Sequence, residues 1–417
     1  MIDGYKESPL GKIPKNWEIV SVKEITKEHK QGFYTKDSYT NDGIRLARIT
    51  DLNNPKVVFS EMPMLNISDS DYQNYKIEKG DFLFARSGAI GRYGIVEDEE
   101  YPAVFASYLI RFRFNNNIVN RYFGYFFESY LCNNQLRGIT QGNANVNINA
   151  ENIKSLKFPL APFGEQQKIA EILITVDDKI EVIDQQITET QELKKGLMQR
   201  LLTKGIGHTE FKDSPLGMIP ESWEVVKLSD VCHKIGDGIH STPKYVDNSE
   251  YYFVNGNNLI NGTLTVSEKT KCVSKDEYEK LRIHLNLNSI LMSINGTIGN
   301  LALYKNEEVV FGKSASYISA KEDRLHYLFL YYYLQHSNTK KYFYDELTGS
   351  TIKNLSLKTI RNTPTILPSK TEQEKIANTL SLVDEKLKVL LEKKAHYQEL
   401  KQGLMQQLLT GKIRVKV

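Results

Sequence analysis

The feature that most limits what this 417-residue chain can fold into is that it contains one plan twice. SPLGKIPKNWEIV at 8–20 returns as SPLGMIPESWEVV at 214–226, and EQQKIA at 165–170 returns as EQEKIA at 372–377. LKKGLMQRLLT at 193–203 returns as LKQGLMQQLLT at 400–410, so the offset holds at 206 or 207 residues. Fainter echoes lie between. RSGAIGR at 86–92 faces INGTIGN at 294–300, TDL at 50–52 faces NNL at 257–259, and QGNANVNI at 141–148 faces TGSTIKNL at 348–355. The copies agree at their edges and in their C-terminal segments and differ in the body between. Drift alone would not spare the helical segments so selectively. The pattern reads as one framework presenting two different recognition surfaces.

Residues 164–203 carry apolar side chains at 3–4 spacing: Ile169, Leu173, Val176, Ile180, Ile183, Ile187, Leu193, Leu197 and Leu201. The second copy places Ile376, Leu380, Val383, Leu387, Leu390, Leu400, Leu404 and Leu408 to match. Such a stripe is the seam of a coiled coil, with acids and lysines on the outer faces. Each helix of some 40 residues would run roughly 60 Å at 1.5 Å per residue. A lone helix would leave its stripe wet, so the two are expected to pair with each other. The connector from Thr203 to Ser214 reaches only roughly 35 Å when extended. It therefore holds the second body at the far end of the first helix, the second helix runs back antiparallel, and a dumbbell with a pseudo-twofold axis is expected. Gly196 and Gly403 interrupt good helices at roughly 1 kcal/mol each relative to alanine. They are either tolerated defects or places where the helices or a partner approach closely. Thr190 stands where the other copy has Tyr397, and Ile187 where it has Lys394; this break either sets register or is simply exposed.

The fold class expected is α+β, two tandem globular domains each followed by a long helix. The divisions fall at 1–163 (first body), 164–206 (central helix), 207–370 (second body) and 371–417 (C-terminal helix). RLARITDL, GDFLFAR and YLIRFRF read as strands in the first body, and YYFVNGNNL, SILMSI and ASYISA in the second. One aromatic helix is expected in each, Tyr122 to Leu131 and Tyr327 to Leu334, with its rings in the core.

Polar loops are the better candidates for nucleic acid. Lys30, Gln31 and Tyr34 beside Gly32 lie opposite His240, Thr242 and Lys244 beside Gly238. Arg86 and Arg92 flank one GxIG turn, while Asn295, Thr297 and Asn300 surround the other. Arg48, Gln141, Asn143, Asn257 and Lys353 complete the candidate DNA-binding set. Glycine lets a backbone approach phosphate, and Arg, Gln and Asn supply bidentate edges for guanine and adenine. Net charge is only +3; residues 164–203 carry −3 and residues 371–410 carry 0, which leaves +6 for the bodies and connectors. Affinity for phosphate is expected there, and to be weak in the chain alone.

Enzyme signatures fail on inspection. Asn54-Pro55-Lys56 is the nearest string to an amino-methyltransferase motif and does not match it. Gly312-Lys313-Ser314 imitates the end of a P-loop, but Glu307 stands where its first glycine should be. Cys232, His233 and His240 make no credible metal set, and Cys132, Cys232 and Cys272 are too far apart for a CxxC-type site. No catalytic residue and no metal ligand are expected. The absence of an apolar leader or a spanning segment points to a cytoplasmic chain without membrane association.

Tandem SPLGxIPxxW blocks, a divergent body, then EQxKIA and a long helix ending LxxGLMQxLLT resemble the specificity subunits of type I restriction–modification enzymes across nearly the whole chain. The resemblance implies that each body is a target-recognition domain reading one half of a bipartite, asymmetric site on double-stranded DNA. It implies a non-catalytic chain without its own cofactor, and helices that bind two modification subunits. Those would carry S-adenosylmethionine and methylate adenine; restriction subunits using ATP and Mg would join for cleavage. Ile169, Leu173, Val176, Ile180, Leu197, Leu201, Ile376, Leu380, Val383, Leu387, Leu404 and Leu408 are the candidates for helix pairing or partner contact. Two other readings remain at this point, a duplicated coiled-coil scaffold without DNA specificity and a self-contained DNA methyltransferase.

Overall fold

The computed structural model describes residues 4–86, 91–98, 101–140, 148–349 and 353–417. The backbone forms two compact units, Met1–Asp184 with Glu392–Val417, and Gln185–Leu391. Each holds one body and parts of both long helices, the first spanning Phe163–Lys204 and the second Lys370–Leu408.

In the first unit the strands are β1 (Thr26–Gln31), β2 (Ile44–Ala47), β3 (Leu52–Asn53), β4 (Lys56–Val57), β5 (Met64–Leu65), β6 (Phe82–Ala85), β7 (Tyr93–Ile95), β8 (Ala103–Phe105) and β9 (Leu109–Phe114). They order as a six-stranded sheet β1-β9-β6-β7-β4-β3 and a three-stranded sheet β8-β2-β5, with β2 and β8 parallel. Helices α1 (Asn120–Glu128) and α2 (Tyr130–Thr140) follow. In the second unit the main strands are β10 (Cys232–Asp237), β11 (Tyr245–Val246), β12 (Tyr251–Val254), β13 (Cys272–Val273), β14 (Ile290–Ser293), β15 (Leu301–Leu303), β16 (Val309–Phe311) and β17 (Ala315–Ala320). Their sheets, β10-β17-β14-β15 and β11-β13-β12-β16 with β12 and β16 parallel, repeat the central arrangement of the first unit. Helices α3 (Tyr327–Gln335) and α4 (Ser337–Asp345) follow in turn. The topology survives where the sequence has diverged.

Strand β6 shows why its sequence is a continuous apolar run. Phe82 and Phe84 enter the core under α1, where Phe84 meets Phe127 at 4.6 Å between ring centroids, while Leu83 and Ala85 enter the core around Phe105. Burial on both faces removes the polar alternation of a half-exposed strand. Strand β14 divides likewise, Ile290 and Met292 to one core and Leu291 to the other.

The edge motifs acquire roles. Trp17, fully buried, donates Nε1–H to Glu165 at 3.2 Å, and Trp223 donates to Glu372 at 3.0 Å. The adjacent glutamine accepts a backbone N–H and donates to two carbonyls: Gln166 with Val119, Asn117 and Ala161, and Gln373 with His326, Arg324 and Pro368. The tryptophan of SPLGxIPxxW thus docks on the glutamate of EQxKIA, fixing the body to the start of its own helix. The other long helix closes each core: Met405, Leu408 and Leu409 pack with Trp17, Ile169 and Leu173, and Leu201 and Leu202 pack with Trp223, Ile376 and Leu380.

The two long helices pair antiparallel. In the first unit Asp177 pairs with Lys401 and Asp184 with Lys394, a step of seven forward on one helix matched by seven back on the other. In the second unit Lys194 pairs with Asp384. Ile169, Leu173, Val176, Leu201, Ile376, Leu380 and Leu408 are buried, and Ile180, Leu197, Val383, Leu387 and Leu404 are half-buried.

Several expectations change. RLARITDL is not one strand: β2 stops at Ala47 and Ile49–Asp51 form a 3-10 turn. YYFVNGNNL stops at Val254 for the same reason, with a turn at Gly256–Asn258. The aromatic helix drawn from Tyr122 to Leu131 breaks at Ser129, whose hydroxyl donates to the Phe126 carbonyl. Tyr122, Phe123, Tyr125, Phe126 and Phe127 are buried as expected, whereas Tyr130, past the break, is exposed. Leu193 and Leu400 leave the seam, 52% and 40% exposed, while Thr190 turns inward and satisfies its hydroxyl on the Gln186 carbonyl. A Cβ built on Gly196 or Gly403 would meet nothing within 4 Å, so close approach of the helices is not why glycine stands there.

Candidate nucleic-acid interface

At the end of β1 the chain crosses onto the second sheet. Gly32 N donates to the Leu109 carbonyl at 3.0 Å and Phe33 N to the Phe105 carbonyl at 2.7 Å. A Cβ on Gly32 would collide with the Ala106 carbonyl, and one on Gly238 with the Phe311 carbonyl at the matching crossing. The sequence assigned these glycines to phosphate; the protein's own backbone is what requires them. Beyond the crossing, Tyr34 and Tyr39 are 67% and 60% exposed. Lys30 Nζ lies 4.6 Å from the centre of the Tyr75 ring, and Gln31 Nε2 donates to the Ser107 carbonyl.

Candidates drawn from distant stretches of sequence meet at a rim. Arg86 N donates to the Tyr108 carbonyl at 3.0 Å, and Ile148 N donates to the Arg86 carbonyl at 2.8 Å. Ile148 therefore lies beside Arg86, at the end of β6. The second unit repeats this: Leu355 N donates to the Ile294 carbonyl at 2.9 Å, and Asn295 bridges Asn354. Thr297 and Lys353 are exposed on that rim, and Asn300 Nδ2 reaches the Leu259 carbonyl beside the turn that carries exposed Asn257. Gln141 and Asn143 lie outside the described residues.

Other candidates are committed within the fold. Arg48 makes a two-pronged pair with buried Asp51, Nε to Oδ2 at 3.0 Å and Nη2 to Oδ1 at 2.9 Å, and adds the Glu61 carbonyl. That hydrogen-bonded pairing raises the Arg48 pKa. Arg92 Nη1 donates to the Ile49 carbonyl. His240 stays exposed with Nε2 3.0 Å from Asp237, Lys244 holds Glu277 through its backbone N–H, and Thr242 is exposed.

An ion network around buried Asp81 and Arg111 carries no signal that the sequence reading picked up. Arg113 Nε sits 2.6 Å from Asp81, with Glu78 at 2.6 Å from Nη2, and Arg111 binds Glu28 and the Lys76 carbonyl. Burial raises the Asp81 pKa even though the Arg113 hydrogen bond opposes it. In the second unit the matching positions, Ser289 and Ser319, share a hydroxyl hydrogen bond of 2.6 Å. LIRFRF against ASYISA held that signal, but strand alternation alone does not tell a buried arginine from a DNA-facing one. Among the described residues no group of three or more His, Cys, Asp and Glu side chains converges as metal ligands. No helix among them is long and apolar enough to cross a membrane.

Residues 14–192 and 220–402 both match the type I restriction modification DNA specificity domain. The chain belongs to this family. Among its relatives in the type I specificity family, the MjaX protein of Methanocaldococcus jannaschii is 28% identical, with 99% of this chain and 97% of that protein aligned. The type I restriction enzyme MjaVIII specificity subunit of the same organism is 26% identical over the same shares. The type I S subunit of M. genitalium has the same fold at 13% identity, with a TM-score of 0.58 over 94% of this chain and 96% of that one. A chain solved for complex assembly and conformational transition of a type I R-M system gives 0.58 at 16% identity over 96% and 99%. As a type I specificity subunit carrying two DNA specificity domains, the chain recognises DNA; nothing favours the scaffold or the self-contained methyltransferase.

Proposed function

We propose that the two bodies of this specificity subunit read two unlike halves of one bipartite DNA site and take no part in the chemistry. The observation that carries this reading is a shared topology with different side chains on matching rims. Lys30 and Gln31 in one body stand where the other has Gly236 and Asp237, and Arg86 and Arg92 stand where it has Ile294 and Asn300. Differing donors and acceptors in a shared frame specify different bases. The first rim offers Gln31 and Arg86, suited to adenine and guanine edges. The second offers Asn257, Asn295, Thr297 and Lys353.

Two modification subunits carrying S-adenosylmethionine would methylate an adenine in each half-site, extruding the base to do so. Restriction subunits using ATP and Mg would complete the assembly, in the cytoplasm. The test exchanges residues 214–367 for the body of another family member and maps adenine methylation across a genome. One half of the methylated motif should change while the other stays; change in both halves, or in neither, refutes modular reading.

A further inference from the structure

The string Gly312-Lys313-Ser314, which failed as a phosphate loop, has two residues that the fold explains and one that it does not. A Cβ on Gly312 would collide with the Asn255 side chain. The Ser314 hydroxyl donates to Asn255 Oδ1 at 2.9 Å and accepts from Gly256 N at 3.0 Å. Lys313 is exposed, and among the described residues its ammonium has no hydrogen-bond or ion-pair partner. The string forms the turn from β16 to β17, closed by Ala315 N on the Gly312 carbonyl at 3.0 Å. In the first unit Ala106-Ser107-Tyr108-Leu109 makes the same turn from β8 to β9, closed by Leu109 N on the Ala106 carbonyl at 2.8 Å. The backbone ties around the two turns match as well. Arg86 and Ile294 donate N–H to the Tyr108 and Ser314 carbonyls, Gly32 and Gly238 to those of Leu109 and Ala315, and Ala106 and Gly312 to those of Ala47 and Val254. In each unit the glycine crossing and the end of β6 or β14 therefore meet at this turn. Tyr108, 61% exposed, is the side chain that the fold leaves without a partner in the first, among the described residues.

We propose that Tyr108 and Lys313 are specificity-determining residues, one for each half-site: the Tyr108 ring contacts a thymine methyl group, and the Lys313 ammonium donates to the O6 and N7 acceptors of a guanine. This rests on the bipartite reading given above and adds two readers to it. Placement carries the assignment. Gln31 Nε2 donates to the Ser107 carbonyl and Arg86 N to the Tyr108 carbonyl, so the first turn touches both residues suited to base edges. The second turn touches Gly238, Gly256 and Ile294, which directly precede or lie close before His240, Asn257 and Asn295. Emergence among segments that carry base-edge candidates favours the guanine edge over a flanking phosphate for Lys313. A turn whose backbone is already tied down presents its side chain without a loop having to order on binding. Side-chain chemistry then separates the two units. Lysine offers donors that match guanine in the major groove, and an aromatic ring offers apolar contact. One frame holding Ser107-Tyr108 in one unit and Lys313-Ser314 in the other specifies different bases.

The experiment uses the whole chain in complex with its modification subunits and compares it with Tyr108→Ala, Tyr108→Phe, Lys313→Met and Lys313→Arg. It records kcat/KM for adenine methylation on duplexes in which each base pair of the site is varied in turn, the salt dependence of duplex binding, and the thermal midpoint of each chain. Tyr108→Ala should lower discrimination at one base pair of one half-site by about tenfold, and Lys313→Met should do the same in the other half-site. Tyr108→Phe should keep the thymine preference and Lys313→Arg the guanine preference, and no midpoint should move. Unchanged discrimination in Tyr108→Ala and Lys313→Met would overturn the assignment, as would loss in both half-sites from either one. A uniform loss of affinity for all sequences in Lys313→Met, with a shallower salt dependence, would make Lys313 a phosphate contact and overturn its role as a reader. A wild-type complex whose methylated site has only one half would overturn the bipartite reading itself, a result separate from the others.

Discussion

The ammonium of Lys401 lies 2.9 Å from the carboxylate of Asp177, joining the end of one long helix to the beginning of the other. The same carboxylate accepts from the Tyr125 hydroxyl at 2.7 Å, and Lys401 also holds Glu128 at 2.9 Å. In the second unit Lys194 and Tyr332 meet at Asp384, at 2.6 and 2.9 Å, so each helix donates the lysine to one unit and the aspartate to the other. Body and helix pair are fastened together at one carboxylate in each unit. The duplication is therefore structural as well as sequential: a part from either copy is needed to complete each unit.

Replacing Lys401 with methionine should cost about 2–3 kcal/mol, because Asp177 and Glu128 are left close together with little solvent. Burial would lower the lysine pKa, but the two carboxylates more than offset it and leave it raised, which marks the ammonium as the form the site needs. Lys194→Met should cost less, since one carboxylate faces it. Urea unfolding of both variants checks the order.

The ion network of the first body and the serine pair of the second are two solutions to one position. Arg113→Ser alone leaves Asp81 buried opposite a hydroxyl and should destabilise by about 3 kcal/mol. Making Asp81→Ser as well imports the Ser289–Ser319 arrangement and should recover most of the loss, leaving Glu78 to Lys76 and Glu28 to Arg111. A double-mutant cycle in denaturant measures the coupling.

Arg48 and Arg86 looked alike in the sequence, and the structure separates them. Arg48→Ala strands the carboxylate of Asp51, which is 5% exposed, and should lower stability by about 2 kcal/mol. Arg86→Ala should change stability by less than about 0.5 kcal/mol while relaxing recognition of one half-site, read by methylation of an oligonucleotide panel that varies each half separately.

The sequence disclosed the framework more readily than the rim for a physical reason. Helix pairing depends on apolar spacing, which Ile169, Leu173 and Val176 display, and the docking of Trp17 on Glu165 depends on motifs present twice. Recognition depends on which polar side chains stay available after the fold has taken its share. Arg48, Arg111 and Arg113 are consumed by Asp51, Glu28 and Asp81, partners 3, 83 and 32 residues away. No local pattern announces the two distant pairings. Leu193 was misplaced because the stripe drifts around the helix, and Thr190 with its hydroxyl satisfied takes the inward place.

Acid should weaken the second unit before the first. His326 and His336 stand where the first unit has Val119 and Ser129, and burial lowers the pKa of both, with Lys370 adding to the effect at His326. Glu322 and Glu374 act in the opposite direction at His326 without reversing it. His326 Nδ1 has no hydrogen-bond partner among the described residues, while His336 Nε2 lies 3.1 Å from Gln199 Oε1. Because the folded pKa lies below the unfolded value, the unfolded chain takes up protons first as pH falls. Stability conferred by the neutral rings is thus complete above about pH 6.5 and declines as pH drops through that value toward the folded pKa. Hydrogen exchange between pH 7 and 5 should show protection falling in β14, β17 and α3 sooner than in β6, β9 and α1. His326→Val with His336→Ser, which copies the first unit, should abolish that difference; an acid response that persists in this variant would place its origin in groups other than these two rings.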